Sequence, residues 1–489
     1  MSSELREYDL VIIGGGPAGI VAAATAKACR KTVALVDNHQ ELGGAGVNTG
    51  TVPSKTLRET ALALSGIAAR KLTGVELSLK YETTVADFLR HEQEVREGFN
   101  TMISQQLKAD KADVYVGTGA FVDPHTVRVM PAQSRPPAVQ VAGAPAVASL
   151  RGERVLIATG SSPLRPSLFP FGSPEIYDSD TILSLDLLPE RLAVVGAGVI
   201  GCEYACTFAI LGTNVHVVDG RDVVLPFLDA EMSQALTGAM KREGIVFHQK
   251  VTVEQCQPRG GAGIRLSLSS LATLTVDAVL VAAGRRSNTD KLNLPAAGVT
   301  VGERGLIPVD EHFRTNVPHI YAAGDVIGFP ALASTSMEQG RRAVRHALGV
   351  DFAVGMSHLL PNGIYTIPEV STVGETEEAL KKRGVDYIVG RARYRDNARG
   401  RIIGDLDGFL KLLFRREDMK LLGVHIMGEQ ATEIVHVGLM AMLAGGTADM
   451  FIEACFNAPT LGALYKTATI DAILQAAGGK ASLTALAEA

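Results

Sequence analysis

Two short stretches of the chain share one glycine spacing. Gly14-Gly15-Gly16-Pro17-Ala18-Gly19 and Gly196-Ala197-Gly198-Val199-Ile200-Gly201 both read G-x-G-x-x-G. An aspartate, Asp37 or Asp219, stands 21 residues after the middle glycine in each. The chemistry such spacing serves is the capture of a dinucleotide pyrophosphate. The first glycine permits a tight turn, the second lets the backbone approach the phosphates, and the third lets the next helix pack on the strand. The helix N-terminus presents free N–H groups and its positive dipole end to the anion. The acid accepts hydrogen bonds from ribose hydroxyls. A lone G-x-G-x-x-G is weak, because glycine is also ordinary turn punctuation. Two complete copies, each set between strand and helix with a placed acid, predict two dinucleotide sites. One tightly held flavin and one exchanging nicotinamide fit that pair, with hydride passing between stacked rings.

Other residue types narrow the chemistry. Asp219 favours the free ribose hydroxyls of NAD(H) and repels a 2′-phosphate. Arg221 offers that phosphate a fork-shaped cation, or is a plain loop charge. Carrying both suits an enzyme that takes NAD(H) and NADP(H). Val199 is small, so an open nicotinamide pocket without an aromatic gate is expected. The five cysteines, Cys29, Cys202, Cys206, Cys256 and Cys455, form no C-x-x-C pair. Cys202 and Cys206 lie four apart on one helix face, a poor geometry for a disulfide, and read as buried hydrophobes. Cys455 is likewise expected in the core. The eleven histidines show no metal spacing, so no metal site is expected.

The elements that position these residues follow from the hydrophobic pattern. Tyr8–Ile13 reads as a buried parallel strand, followed by an alanine-rich helix from Ile20 to about Ala28 and a strand Thr32–Val36 ending at Asp37. The second copy runs through strand Leu192–Val195, a helix from about Cys202 to Leu211, and strand Asn214–Val218 ending at Asp219. Strand-to-glycine turns recur at Leu156–Gly160, Leu280–Arg285 and Ile320–Asp325; singly, each is equally an ordinary turn. Helical stretches are expected at about 54–72 and 86–109, the second with Glu92, Glu94, Arg96 and Glu97 on a solvated face. The Pro/Ala-rich segment 130–150 reads as a loop in a β-meander. Near the end, strands Gly408–Phe414 and Lys420–Met427 alternate with helices starting near Ala431 and Leu461. The fold class is α/β: two Rossmann-like dinucleotide-binding domains plus a C-terminal α+β domain.

Composition agrees. A length of 489 residues sets a prior of roughly three domains. With 46% apolar and 20% charged residues, the chain is neither disordered, collagenous nor a disulfide-stapled miniprotein. A net charge of −5 gives no basic footprint, so no nucleic-acid partner is expected. No apolar run reaches membrane-span length, and the N-terminus leaves no room for a signal peptide before Gly14. The sparse, unpaired cysteines point to a reducing cytoplasm.

The order of motifs resembles the pyridine nucleotide–disulfide oxidoreductase family over essentially the whole chain. Within it, the pattern is most similar to the soluble, flavin-dependent (Si-specific) NAD(P)+ transhydrogenases. The resemblance rests on Gly43-Gly44 with Pro53-Ser54-Lys55, the run Gly196–Ala205, Arg221-Asp222 with Phe227-Leu228-Asp229, Ala333-Ser334 with Gln339-Gly340-Arg341, Tyr365–Glu369, and Gly428-Glu429. It implies four regions: an FAD-binding domain (1–160), an NAD(P)-binding domain (161–286), a central domain completing the FAD site (287–355) and a dimerisation domain (356–489). It implies FAD held by Gly14, Gly16, Pro17, Ala18, Gly19 and Asp37, with Gly43 and Gly44 beside the flavin. Gly119 would lie near the adenine, and Thr159, Gly160 and Asp325 would complete the site. The backbone at Ala333 would start a helix aimed at the flavin's pyrimidine edge. Gly196, Gly198, Val199, Ile200, Gly201, Asp219, Arg221 and Gly284 would hold NAD(H) or NADP(H) as substrate. Lys55 and Glu203 would form an ion pair beside flavin and nicotinamide, the lysine stabilising the anionic reduced ring. A homodimer or higher homo-oligomer is implied.

The departures matter most. The family's disulfide reductases carry Cys-x4-Cys before Pro-Ser-Lys, where this chain has Gly46 and Thr51. Neither can form a disulfide or a thiolate. The transhydrogenase pattern keeps the first cysteine, so Gly46 departs even from that. The reductases' acid–base His and Glu are replaced by Ala458 and Ala463. Thiol chemistry is therefore not expected, and hydride transfer from NAD(P)H through FAD to a second NAD(P)+ needs none of it. The alternatives are an NAD(P)H:quinone or dye reductase, and a catalytically silent nucleotide-binding member.

Overall fold

A computed structural model describes residues 5–65, 85–131, 148–350 and 357–477. Most of the Pro/Ala-rich segment, the end of the helix expected at 54–72 and the end of the central region lie outside them.

The first β-branched run forms strand Leu5–Ile13, paired in parallel with Val33–Asp37 on one side and Ala148–Ile157 on the other. From Tyr8 to Ile13 its apolar residues are buried on both faces, as a central parallel strand requires. Asp113–Val116 extends the sheet beyond Val33–Asp37, and Thr126–Met130 and Thr118–Asp123 continue it antiparallel beyond Ala148–Ile157. Strand Ile320–Ala322, some 300 residues after the first, also joins this sheet. Helix Ala333–Ala347 then packs on helix Pro17–Ala28 so closely that a Cβ at Gly340 would lie 2.3 Å from the Ala18 carbonyl oxygen.

The second unit is a five-stranded parallel sheet in the order Val246–Gln249, Asn214–Asp219, Arg191–Val195, Ala278–Val281, Ile176–Asp178. The last unit is a five-stranded antiparallel sheet built from Asn362–Ile364, Val370–Gly374, Leu421–Met427, Phe409–Arg415 and Tyr387–Arg393. Helices Ala431–Leu443 and Leu464–Ala476 cover it. Among the described residues no helix is long and apolar enough to cross a membrane.

Two expectations are corrected. Glu92 is buried rather than solvated. It lies on helix Val85–Ala109 four residues after Phe88 and three after Leu89, both buried, so the helical period carries it onto the inward stripe. Its carboxylate accepts from Arg96 Nε at 3.1 Å, yet burial still pushes its pKa up. Cys455 is exposed, not in the core. Helix Ala448–Glu453 ends just before it, and the chain runs on without regular structure to Thr460.

A buried charge cluster ties the second unit to the last. Lys411, on strand Phe409–Arg415, is 1% exposed. Its Nζ lies 2.7 Å from Asp229 Oδ1, 2.9 Å from Glu231 Oε2 and 2.5 Å from Glu377 Oε1. Asp229 caps helix Ala230–Arg242 by accepting from Glu231 N. Among the described residues these three carboxylates are the one group close enough to hold a cation, and the Lys411 ammonium sits among them.

Candidate functional site

Both glycine turns follow the same steric logic. A Cβ at Gly14 would lie 2.2 Å from the Ala158 oxygen, and one at Gly19 would lie 1.8 Å from the Gly14 oxygen. In the second copy the corresponding approaches are 2.4 Å from Gly196 to the Ala282 oxygen and 1.9 Å from Gly201 to the Gly196 oxygen. The outer glycines are thus required by the chain's own packing. The middle ones are not. A Cβ at Gly198 would meet nothing within 4 Å, and one at Gly16 only the Gly44 Cα at 3.9 Å. Helices Pro17–Ala28 and Val199–Ile210 begin at these middle glycines with no side-chain cap. Open space before uncapped N–H groups is what a pyrophosphate needs.

Asp37 Oδ2 accepts from Gly15 N at 2.6 Å and Oδ1 from His39 N at 2.7 Å, while burial pushes its pKa up. Gly43 and Gly44 come up against the first turn, as the Gly43 N–H donates to the Gly15 oxygen at 2.8 Å. Thr159 Oγ1 is buried with no hydrogen-bond partner, an orphan that a bound ligand would satisfy. Gly160, at φ +66°, has open space around it, as does Gly284 at φ +118°. Gly119 is packed inside the first sheet against Ile13, Val36 and Val127. Helix Ala333–Ala347 starts where expected, again without a side-chain cap.

Asp325 is tied into a chain that sequence reasoning missed. Its Oδ2 accepts from Ser161 Oγ at 2.7 Å, and Ser161 Oγ accepts in turn from Arg285 Nε at 2.8 Å. Arg285 also faces Asp180 at 3.8 Å; burial raises that carboxyl's pKa against the arginine's pull. Ser161 follows Gly160 and Arg285 follows Gly284, so polar residues just past the glycine turns were the available signal.

At the second ribose edge, Asp219 and Arg221 engage each other. Arg221 Nε donates to Oδ1 at 2.9 Å, Nη2 to Oδ2 at 2.7 Å, and the Arg221 N–H to Oδ1 at 2.8 Å. Asp219 Oδ2 also accepts from Ala197 N at 2.5 Å. Burial alone would raise the Asp219 carboxyl, but these donors hold it below its ordinary value.

Lys55 and Glu203, 148 residues apart, meet at 2.6 Å. Lys55 opens into the site from helix Thr51–Ser65, and Glu203 is buried on helix Val199–Ile210. The other Glu203 oxygen accepts from Tyr365 N at 2.9 Å. The Tyr365 ring centroid lies 4.9 Å from Lys55 Nζ, so an aromatic stands at the pair although none stands in the turn.

Neither of the reductases' two cysteine slots, Gly46 and Thr51, holds a sulfur. Gly46 is buried, and a Cβ there would come within 2.5 Å of Pro17 Cγ, so a cysteine would fit only with a shift of the glycine turn. Thr51 is exposed, as is Ala458. Cys202 and Cys206 are buried; burial pushes the Cys206 thiol up to about 12 and that of Cys202 well up, leaving both as inert thiols.

Comparison with known proteins places this geometry. The profile of the pyridine nucleotide-disulphide oxidoreductase family matches residues 8–340, and that of its dimerisation domain residues 360–469. The chain is 46% identical over 469 residues to a soluble pyridine nucleotide transhydrogenase of Mycobacterium bovis, covering 96% of this chain and 97% of that one. A protein of the same description from Pseudomonas putida is 39% identical, covering 95% and 98%. Among solved structures, LpdA from Mycobacterium tuberculosis superposes with a TM-score of 0.85 at 26% identity, covering 95% of this chain and 99% of LpdA. The flavoprotein disulfide reductase RclA from Escherichia coli gives 0.83 at 26% identity, with the same coverage. With two nucleotide-type glycine turns, a dimerisation domain and matches along nearly its full length, the chain belongs to the pyridine nucleotide-disulphide oxidoreductase family, whose enzymes use FAD with NAD(P)H.

Proposed function

We propose that this enzyme is an FAD-dependent NAD(P)+ transhydrogenase that works without a redox disulfide, as a cytoplasmic homodimer. One observation carries the reading: the Lys55–Glu203 pair is intact at 2.6 Å while the two reductase cysteine slots hold Gly46 and Thr51. The transhydrogenase description of relatives 46% and 39% identical supports it. FAD is proposed at the first glycine turn, Asp37, Gly43, Gly44, Thr159, Gly160 and Asp325, and the exchanging nucleotide at the second turn, Asp219, Arg221 and Gly284. FAD held there would supply two-electron hydride chemistry between a reduced and an oxidised nicotinamide. Hydride carries its electron pair with it, so no side chain needs to move a proton at Ala458 or Ala463. The Lys55 ammonium stabilises negative charge where it develops, and Glu203 fixes the ammonium by accepting its hydrogen bond. The uncapped helix N-termini bind the phosphates.

Anaerobic reduction with NADPH followed by thio-NAD+ or a benzoquinone tests the reading. Fast reoxidation by thio-NAD+ is expected; reoxidation by quinone alone would make the enzyme a quinone reductase, and a colourless protein releasing no flavin would make it a silent binder. Two-electron reduction should bleach the flavin without a long-wavelength thiolate–flavin band, and dihydrolipoamide should not be oxidised. A band at the midpoint of a four-electron titration would contradict the missing disulfide.

The Asp219–Arg221 pair makes nucleotide choice testable. For a 2′-phosphate, Arg221 must turn its fork from Asp219 to the phosphate; for a free ribose, Asp219 must turn from Arg221 to the hydroxyls. Arg221→Ala should weaken NADPH relative to NADH by about 1.5–3 kcal/mol, the worth of a charge-assisted hydrogen bond. Asp219→Asn should weaken NADH and ease NADPH entry. Equal weakening of both nucleotides by Arg221→Ala, measured as binding constants, would end the dual-specificity argument.

A further inference from the structure

Helix Thr51–Ser65 carries a second cation one turn beyond Lys55. Arg58 has a side chain only 7% exposed, an expensive place for a guanidinium unless its donors are met. Arg58 Nε donates to the Thr366 oxygen at 3.3 Å, Nη2 faces Glu369 Oε1 at 3.3 Å, and Nη1 faces Glu59 at 2.6 Å. Glu369 is itself fixed, its Oε2 accepting from Thr432 N at 3.1 Å and Thr432 Oγ1 at 2.8 Å. The segment 365–369 is therefore held at one end by Glu203, through Tyr365 N, and at the other by Arg58. The contacts close a ring: Lys55, Glu203, Tyr365, Thr366 with Glu369, Arg58, and back along one helical turn to Lys55.

We propose that Arg58 is a positioning residue: by anchoring segment 365–369 it aims the Glu203 carboxylate and so fixes the Lys55 ammonium at the flavin. The inference rests on the proposed role of Lys55. The physical reason is the closure of the ring. Glu203 has two oxygens, one on Lys55 and one on Tyr365 N, so its orientation follows the Tyr365 backbone. That backbone is continuous with the Thr366 carbonyl that Arg58 holds. Lys55 and Arg58 share one face of one helix, which makes the helix the rigid spacer between the two anchors.

The test is the flavin midpoint potential of the holoenzyme, measured by equilibration with reference dyes. Lys55→Met should make flavin reduction less favourable. Arg58→Met and Glu369→Gln should shift it in the same direction by a smaller amount, roughly threefold or more in the reduction equilibrium constant. Arg58→Lys should recover part of the loss. In Lys55→Met/Arg58→Met the second change should add nothing, because Arg58 acts through Lys55. Glu369→Gln keeps the test open if Arg58→Met does not fold. A potential unmoved in both Arg58→Met and Glu369→Gln, beside a shift in Lys55→Met, would overturn the proposal and leave the role of Lys55 standing. Additive shifts in the double variant would overturn it too. No shift in Lys55→Met would remove the role of Lys55 and this inference together.

Discussion

Lys55→Met is expected to slow reduction of the enzyme by NADPH and by NADH alike, by about two to three orders of magnitude. The ammonium is held at 2.6 Å by a carboxylate that is itself buried, so it cannot swing away and be replaced by water at no cost. Its removal has two effects. The positive charge facing the developing negative charge is lost, and Glu203 is left as an unpaired buried anion pointing at the same place. Lys55→Met/Glu203→Gln should therefore recover part of the rate by removing the second effect. As Lys55 is proposed to act on the shared ring rather than on the ribose, the two nucleotides should suffer equally, in contrast to Arg221→Ala. Stopped-flow flavin bleaching reads both. A loss below about threefold, or one confined to a single nucleotide, would place Lys55 outside the chemistry.

What the sequence made legible was local. Each glycine turn announces itself within about 25 residues, because strand, turn, helix and acid are consecutive and each obeys its own short-range rule. The second sheet and its Asp219 follow from that alone. The Lys55–Glu203 pair did not; it came from resemblance, because no periodicity joins residues 148 apart. Glu92 was misread for a related reason: three neighbouring charges looked like a wet face, while the phase set by Phe88 and Leu89 turned that one residue inward. Cys455 was assigned to the core on residue type, and the end of helix Ala448–Glu453 left it in an exposed stretch. Arg58 and Lys411 carried no signal at all. Their partners lie 308 and 182 residues away, on elements that only the assembled fold brings together.

Lys411→Met is expected to destabilise the protein by about 3–5 kcal/mol at neutral pH, the usual cost of removing one partner from a buried ionic group. Three carboxylates converge on this one ammonium; Glu231 also meets Arg391 Nη2 at 2.8 Å and Glu377 meets Lys381 Nζ at 3.3 Å. Burial alone would lower the Lys411 pKa, but the three acids outweigh it and raise it. Burial would likewise raise the acids, yet Lys411 holds Asp229 low, Arg391 and then Lys411 hold Glu231 low, and Lys411 with Tyr387 takes Glu377 down to about 2. In the wild type the unfolded chain therefore binds protons at higher pH than the folded one does. The cluster's contribution is fully present above ordinary carboxylate values, about 4, and is lost as pH falls toward 2. Without Lys411 the sign reverses. The three crowded acids, Asp229 buried and Glu231 and Glu377 half-buried, hold protons more tightly folded than unfolded, so acidification from pH 7 to pH 5 relieves the variant while the wild type keeps its cluster in full. Urea midpoints at pH 7 and pH 5 should show the gap between the two proteins narrowing, and Lys411→Arg should restore most of it. A gap under about 1 kcal/mol that does not change with pH would mean that the junction between the nucleotide unit and the C-terminal sheet is held by packing, with the charges merely tolerated.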